Sequence, residues 1–244
     1  MSFVGSGQQA NTATGTTCTI TYSGPTINAG DILLFCFSVS STTYSATFPS
    51  GAAAVSGLTN LSPQSANGGD QWGFQWKVAV GGETSFAFSN SFSGWLSAYV
   101  RVYRGRTATP FTVTPVTTAV VATAPSPLSI SLTGLTPNAG DDVVAIIPMG
   151  TLGNANAWNL TSAPSGFANV DNFTSPLQNQ NVLCACDSVG WAGGATGTLT
   201  GTITSAGGYN MGYGGWVLTL AASSPGALID GRGVGCSPGI SSPC

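Results

Sequence analysis

The chain has 244 residues, enough for one large domain or two ordinary ones, and 42% of them are hydrophobic, as in a globular protein. Its 5 Lys+Arg and 8 Asp+Glu make up only 5% of the residues, where soluble proteins carry about 25%. The few scattered basic residues cannot neutralise a run of phosphates, so we expect no nucleic-acid partner. The remaining polar surface must consist of Ser, Thr, Asn, Gln and Gly, which has little self-repulsion and suits a protein packed against neighbours.

The first segment, MSFVGSGQQANTATG, has neither the basic start nor the apolar run of a secretory signal. No segment approaches the roughly 18 to 20 consecutive apolar residues that cross a membrane. We therefore expect a protein that is made in a cytoplasm, does not contact a membrane, and either stays there or leaves by a route that needs no signal, such as cell lysis.

Along the chain, short runs rich in Val, Ile, Thr, Phe and Tyr alternate with Gly, Pro, Asn and Ser, and helical periodicity is nearly absent. The 34 Gly and 14 Pro have no fixed period, so they act as turn residues between strands. This pattern predicts an all-β protein.

The sequence repeats itself. TINAGDILLFCFSVS at residues 26–40 returns as TPNAGDDVVAIIPMG at residues 136–150, and three more segments follow at a similar offset: TCTITYSG as PLSISLTG, FPSGAAAV as APSGFANV, and DQWGFQWKVAVGG as QNVLCACDSVGWAGG. We predict an internal duplication that gives two tandem β-sandwiches, of jelly-roll or immunoglobulin-like type, at residues 1–110 and 111–224. An irregular tail rich in Gly, Pro and Ser follows at residues 225–244.

Catalytic candidates are scarce. The chain has no His, which removes the commonest general base, the Ser–His pair and most zinc sites. Asp31 and Asp141 occupy the same place in the two NAGD turns, so we expect them to bond nearby backbone amides rather than to form a catalytic pair. We predict a protein without enzymatic activity, cofactor or catalytic metal.

Cys184 and Cys186 are alternate residues of a strand and so share one face. Aligned with WGFQW of the first copy they match Phe74 and Trp76, which favours a packed interior over a metal or redox site. The same alignment turns the stripe of Trp72, Phe74 and Trp76 inward, although a sugar-binding platform remains the alternative.

Two further cysteine pairs are candidates for disulfides. If residues 17–23 and 31–37 form a hairpin, Cys18 lies opposite Cys36 at about 4.5 to 5.5 Å, as two buried thiols or as a disulfide formed after later oxidation. Cys236 and Cys244, in the tail, are placed to pair with each other or to contact a neighbouring chain. We also expect the tail to lie against another subunit.

Five residues are candidates for contact with a partner protein or a glycan. Two are tryptophans near turn signals and three are arginines of the strand that closes the first copy: Trp158, Trp191, Arg101, Arg104 and Arg106.

The repeated NAGD turn with its apolar strand, the PSG turns at 49–51 and 164–166, and the closing SAYVRVYRG carry a family resemblance. Over roughly residues 10 to 222 the chain resembles bacteriophage virion structural proteins of the capsid decoration, head-fibre or tail-fibre type, built of tandem β-sandwich modules. The resemblance implies a virion protein without catalysis. Its expected partners are other virion proteins, such as major capsid or tail proteins, and copies of itself, with a host surface glycan as a further ligand.

Two other classes explain part of the sequence. An extracellular carbohydrate-binding module accounts for the sandwich pattern and the tryptophans, and a self-assembling filament subunit accounts for the low charge and the tail. Both need an export route.

Overall fold

The computed structural model describes residues 2–10, 14–40, 44–61, 70–124, 126–151, 158–174, 181–205 and 211–223. In these ranges the chain forms fifteen β-strands and no helix. The prediction of an all-β protein is therefore confirmed. The tail cysteines Cys236 and Cys244 lie outside the described residues.

The N-terminal half, up to Tyr103, contains seven strands: β1 (Phe3–Ala10), β2 (Gly15–Thr21), β3 (Ile32–Ser40), β4 (Ala46–Thr47), β5 (Ala53–Ala54), β6 (Asp70–Val78) and β7 (Ser85–Tyr103). The larger sheet has the order β1-β7-β3-β6-β5. β7 is 19 residues long, and its first part pairs instead with β2 and β4. One strand therefore belongs to two sheets.

The C-terminal half contains eight strands: β8 (Val116–Ala124), β9 (Leu128–Leu132), β10 (Asp142–Thr151), β11 (Trp158–Ser162), β12 (Ala168–Thr174), β13 (Asn181–Ser188), β14 (Leu199–Ser205) and β15 (Met211–Leu220). They form a five-stranded sheet of order β12-β13-β10-β15-β8 and a three-stranded sheet of order β11-β14-β9. Taken in chain order, the strands of this half pair as those of the first half do, with β14 and β15 in the places of the two parts of β7.

The repeated turns have the same geometry in both halves. The amide of Asp31 donates to the carbonyl of Asn28 at 3.1 Å, and the amide of Asp141 donates to the carbonyl of Asn138 at 3.2 Å. Each carboxylate accepts the amide of the same asparagine, at 2.8 and 3.1 Å. The expectation that these two aspartates bond nearby backbone amides is confirmed. The preceding glycines, Gly30 and Gly140, have φ of 89° and 90°, which few other residues adopt.

Three buried clusters separate four layers of sheet. In β3, Leu33, Phe35, Phe37 and Val39 point into a cluster shared with β2 and β7, whereas Ile32, Leu34 and Cys36 point to the opposite face. The C-terminal half has its own cluster between its two sheets. The third cluster lies between the two larger sheets and takes side chains from both halves. We call this cluster the central interface. Because it covers one face of β3 and of β10 and the clusters within the halves cover the other, both strands are buried on both faces.

The expected hairpin between the Cys18 and Cys36 strands does not form. β2 pairs with β7, which places Cys18 opposite Phe88. β3 pairs with β6 and β7, and Cys36 faces the central interface while Cys18 faces the cluster within the N-terminal half. Both thiols are buried and free, so the structure does not contain the disulfide. The error came from assuming that strands adjacent in sequence pair with each other.

The predicted alignment of Cys184 and Cys186 was wrong by one residue. Cys36 of β3 lies opposite Phe74, and the matching Ile146 of β10 lies opposite Ala185, not Cys184. A slip of one residue moves a side chain to the other face of its strand. The two cysteines are buried as predicted, but in the cluster within the C-terminal half rather than on the face that matches Phe74.

Candidate functional site

The central interface is built on two rows of matched positions. In the N-terminal half, Leu34 of β3 lies between Trp76 of β6 and Arg101 of β7. In the C-terminal half, Val144 of β10 lies between Asp187 of β13 and Leu218 of β15. Arg101 and Leu218 therefore occupy matched positions in the two halves, and so do Trp76 and Asp187. We call the members of such a pair counterparts.

The next row, two residues along, follows the same scheme. Cys36 lies between Phe74 and Tyr99, and Ile146 lies between Ala185 and Trp216. Tyr99 therefore has Trp216 as its counterpart.

Arg101 is fully buried and crosses the interface. Its Nη2 donates to Asp187 Oδ2 at 2.9 Å and to the carbonyl of Asn169 at 2.9 Å. Its guanidinium lies over the ring of Phe3, 4.3 Å from the centroid, and its Nε is 3.8 Å from Asp171 Oδ2. Nε and Nη1 are buried and make no direct hydrogen bond. The ion pair and the cation–π contact thus offset much of the cost of burying this charge.

Asp187 collects three donors. Besides Arg101, the hydroxyl of Tyr103 donates to its Oδ2 at 3.0 Å, and Nδ2 of Asn169 donates to its Oδ1 at 2.6 Å. Asn169 has a φ of 46°, a left-handed conformation that asparagine tolerates. Asn169 therefore contacts both members of the ion pair: its side chain donates to Asp187, and its carbonyl accepts from Arg101.

The hydroxyl of Tyr99 donates to Asp171 Oδ2 at 2.6 Å. Burial raises the pKa of Tyr99 well above its ordinary value, so the group remains a donor across the physiological range. We refer to Arg101, Tyr99, Tyr103, Asp171 and Asp187 together as the ionic side of the central interface.

The opposite side of the interface is apolar. The rings of Phe74 and Trp216 pack at 5.7 Å between centroids, and Leu218 is fully buried beside them. Nε1 of Trp216 donates to the carbonyl of Thr59 at 2.9 Å. Leu61 pairs with Trp72 of β6, and Phe173 pairs with Leu183 at the matched position of β13. Thr59 lies two residues before Leu61, and Asp171 lies two residues before Phe173. The Trp216–Thr59 bond is therefore the counterpart of the Tyr99–Asp171 bond. We refer to Trp76, Phe74, Trp216 and Leu218 as the apolar side.

Two more arginines follow directly after β7 and tie its end to turns of both halves. Arg104 donates from Nε and Nη2 to the two carboxylate oxygens of Asp31, at 3.0 and 2.8 Å. Arg106 lies 2.8 Å from Asp142 Oδ1 through Nη2, and donates through Nε to Ser2 Oγ at 2.8 Å. The NAGD turns are thus the anchors of the segment that links the halves.

Burial raises the pKa of Asp187 and of Asp142 above the ordinary value of 3.8, even though an arginine lies beside each carboxylate and opposes the shift. Desolvation of the ionised carboxylate is therefore the dominant effect at both positions.

Every cation in the described part of the chain forms an ion pair within the molecule. Besides the three arginines, Lys77 pairs with Glu83 at 3.3 Å. Arg101 has no exposed atoms, so the expectation that it contacts a partner protein or glycan was wrong. Arg104 keeps 39% of its side chain exposed, whereas Arg106 keeps 8%.

The two candidate tryptophans serve the C-terminal half. Trp158 is fully buried in its core, so the expectation of an external contact was wrong there too. Trp191 is half-buried against the same core, donates through Nε1 to the carbonyl of Gly194 at 3.1 Å, and exchanges backbone bonds with Gly140 and Asp141. It holds the second NAGD turn in place.

The buried cysteine thiols are unreactive near neutral pH. Burial raises the thiol pKa of Cys18 to about 11 and that of Cys186 to about 12. A thiolate is the reactive form, so these groups are inert near neutral pH. In the described residues no cluster of three or more His, Cys, Asp or Glu side chains is arranged to hold a metal ion.

A groove of about 390 Å³ opens where residues 109–115, in the segment between β7 and β8, pass β5 and β6. Trp76 and Phe111 form its aromatic wall, with ring centroids 5.1 Å apart in an edge-to-face arrangement. The remaining lining residues are small, hydroxyl-bearing or proline: Ala54, Val55, Ser56, Thr109, Pro110, Thr112, Thr114 and Pro115. The lining is uncharged, so a neutral ligand is the chemistry that fits it.

Sequence reasoning did not single out Asp171, Asp187 or Asn169. The available signal was Arg101 itself, because a charge in the run SAYVRVY, on a strand buried on both faces, requires a buried partner. The partner lies 86 residues away and could not be chosen from the sequence.

No protein-family model, curated protein or solved structure matches this chain. Among the residues described, no helix is long and apolar enough to cross a membrane.

Proposed function

We propose that this chain is a non-enzymatic structural subunit of a virion, of the capsid decoration, cement or fibre kind. It packs against other virion proteins and against copies of itself. We further propose that it consists of two β-sandwich modules that arose by internal duplication, a reading supported by the equal strand order and by the matched bonds of Tyr99 and Trp216.

The observation that carries the proposal is the internal use of charge. The four described cations are all paired with carboxylates of the same molecule. The outermost sheets present hydroxyls, such as Thr19 and Thr21 on β2 and Ser129 and Ser131 on β9. Packing such a surface against a neighbour does not require charges to be desolvated. Desolvation would cost on the order of several kcal/mol per ion. A surface of this kind favours tight packing over binding of charged ligands.

The test is the location of the chain after release from the producing cells. Particles are purified from the lysate by density gradient, and their proteins are quantified by mass spectrometry beside the particle-free fraction. We expect the chain in the particle fraction at a fixed ratio to the major capsid or tail protein. Its recovery only in the particle-free fraction would contradict the proposal.

The groove beside Trp76 favours a second candidate, a carbohydrate-binding module for a neutral glycan, since aromatic rings stack on sugar faces and the wall carries hydroxyls. Binding of the full chain to a panel of neutral polysaccharides tests it, with Trp76→Ala as the site variant and Val80→Ala, at an exposed valine, as the control. Retention that Trp76→Ala abolishes and Val80→Ala preserves supports this candidate. Equal retention of both variants contradicts it.

A further inference from the structure

The two sides of the central interface are counterparts in position but opposite in chemistry. Rotating one half onto the other exchanges Arg101 with Leu218 and Trp76 with Asp187. On the ionic side Arg101 meets Asp187, at 2.9 Å. On the apolar side the same rotation puts Leu218 opposite Trp76, and both belong to the central interface. The interface therefore has the geometry of a symmetric pair but only one ion pair.

This asymmetry decides which halves can pair. If two N-terminal halves from different copies met through this surface, each Arg101 would face the Trp76 of the other copy. If two C-terminal halves met, each Asp187 would face a Leu218. Both arrangements bury two unpaired charges, which is strongly unfavourable. The pairing of an N-terminal with a C-terminal half buries one ion pair instead.

We propose that the Arg101–Asp187 pair is a specificity device for assembly. It makes each half of this chain recognise the opposite half and reject a like half of a second copy. Because the strand positions of the two halves are matched, the backbone arrangement is the same in all three pairings. We therefore assign the rejection to the charges, as in other interfaces that disfavour wrong partners by burying unpaired groups. The inference rests on the matched strand positions and does not depend on a place in a virion.

The neighbouring polar groups strengthen the discrimination. Tyr99 and Tyr103 donate to Asp171 and Asp187 only across the pairing of unlike halves. Opposite a second N-terminal half the Tyr99 hydroxyl would have Thr59, the counterpart of Asp171, as its neighbour, and no carboxylate.

The experiment makes the interface symmetric in the full chain by two opposite routes. Arg101→Leu with Asp187→Trp copies the apolar side onto the ionic side. Trp76→Asp with Leu218→Arg copies the ionic side onto the apolar side. In both double variants a pairing of like halves no longer buries an unpaired charge at positions 76, 101, 187 and 218. Each variant is refolded from urea at protein concentrations spanning two decades, and its mass is measured by size-exclusion chromatography with light scattering.

We expect the symmetric variants to give a dimer fraction that rises with concentration and exceeds that of the wild type at least tenfold. The exchange variant Arg101→Asp with Asp187→Arg keeps the asymmetry and is the matched control, expected to refold to the wild-type distribution. A folded symmetric variant with the wild-type mass distribution overturns the proposal, as does a control that dimerises equally. If both symmetric variants fail to fold while the control folds, side-chain packing specifies the pairing and the proposal is likewise overturned.

Discussion

The ionic and apolar sides of the central interface occupy equivalent backbone positions and hold the halves together by different means. On one side Arg101 reaches Asp187 amid tyrosine hydroxyls. On the other, Phe74 packs against Trp216 with Leu218 beside them. Tyr99 and Tyr103 on the ionic side and Phe74, Trp216 and Leu218 on the apolar side all belong to the buried cluster between the two larger sheets. The two sides should respond differently to the loss of one side chain. On the apolar side the loss leaves a cavity with fewer packing contacts, whereas on the ionic side it leaves a buried charge without a partner or solvent.

Breaking the ion pair from one end should have the largest effect. Arg101→Met leaves Asp187 buried without its cation, and we expect the free energy of unfolding to fall by about 3–5 kcal/mol. Urea unfolding followed by tryptophan fluorescence measures it. The double variant Arg101→Met with Asp187→Leu should recover most of this loss, since the fully buried carboxylate is then removed together with its cation, whereas the side chain of Asp171 is 26% exposed. A double variant as unstable as Arg101→Met alone would show that the loss does not come from the unpaired carboxylate of Asp187.

Truncation on the apolar side should cost slightly less and should follow packing alone. For Leu218→Ala we expect a loss of about 2–5 kcal/mol, the range for a buried leucine that leaves a cavity. The matched control is Val80→Ala at an exposed valine, with an expected change within about 0.5 kcal/mol. A loss at Leu218 as small as that at Val80 would mean that the apolar side is not packed as described.

The hydrogen bond between Tyr99 and Asp171 can be tested by removing one hydroxyl. Tyr99→Phe deletes the donor to Asp171 and keeps the ring, so we expect a loss of about 1.5–3 kcal/mol, as for hydrogen bonds to charged groups. In an Asp171→Asn background the same change should cost less, because its acceptor is then neutral. Equal losses in both backgrounds would indicate that the hydroxyl does not interact with the carboxylate in solution.

The smallest effect concerns pH. Burial raises the pKa of Asp142, so the folded state holds this proton more tightly than the unfolded chain does. The resulting stabilisation is fully present below the unfolded pKa of about 3.9 and is lost as pH rises through the raised folded value. Relative to Asp142→Asn, the wild type should therefore gain thermal stability as the pH is lowered from 7 toward 4. A difference in melting temperature that does not change with pH, or changes in the opposite direction, would contradict the assignment.

The strand class, the two NAGD turns and their aspartate–amide bonds could be predicted from the sequence, because these depend on residues within a few positions of one another. The sequence also indicated that Cys184 and Cys186 are buried. The pairing of the strands and the facing of each side chain depend on tertiary contacts and could not be predicted from the sequence. β3 and β10 are buried on both faces, so their patterns show no alternation of polar and apolar residues that could fix the facing of their neighbours. The partner of Arg101 was equally beyond reach, because its choice depends on two sheets meeting across 86 residues of chain.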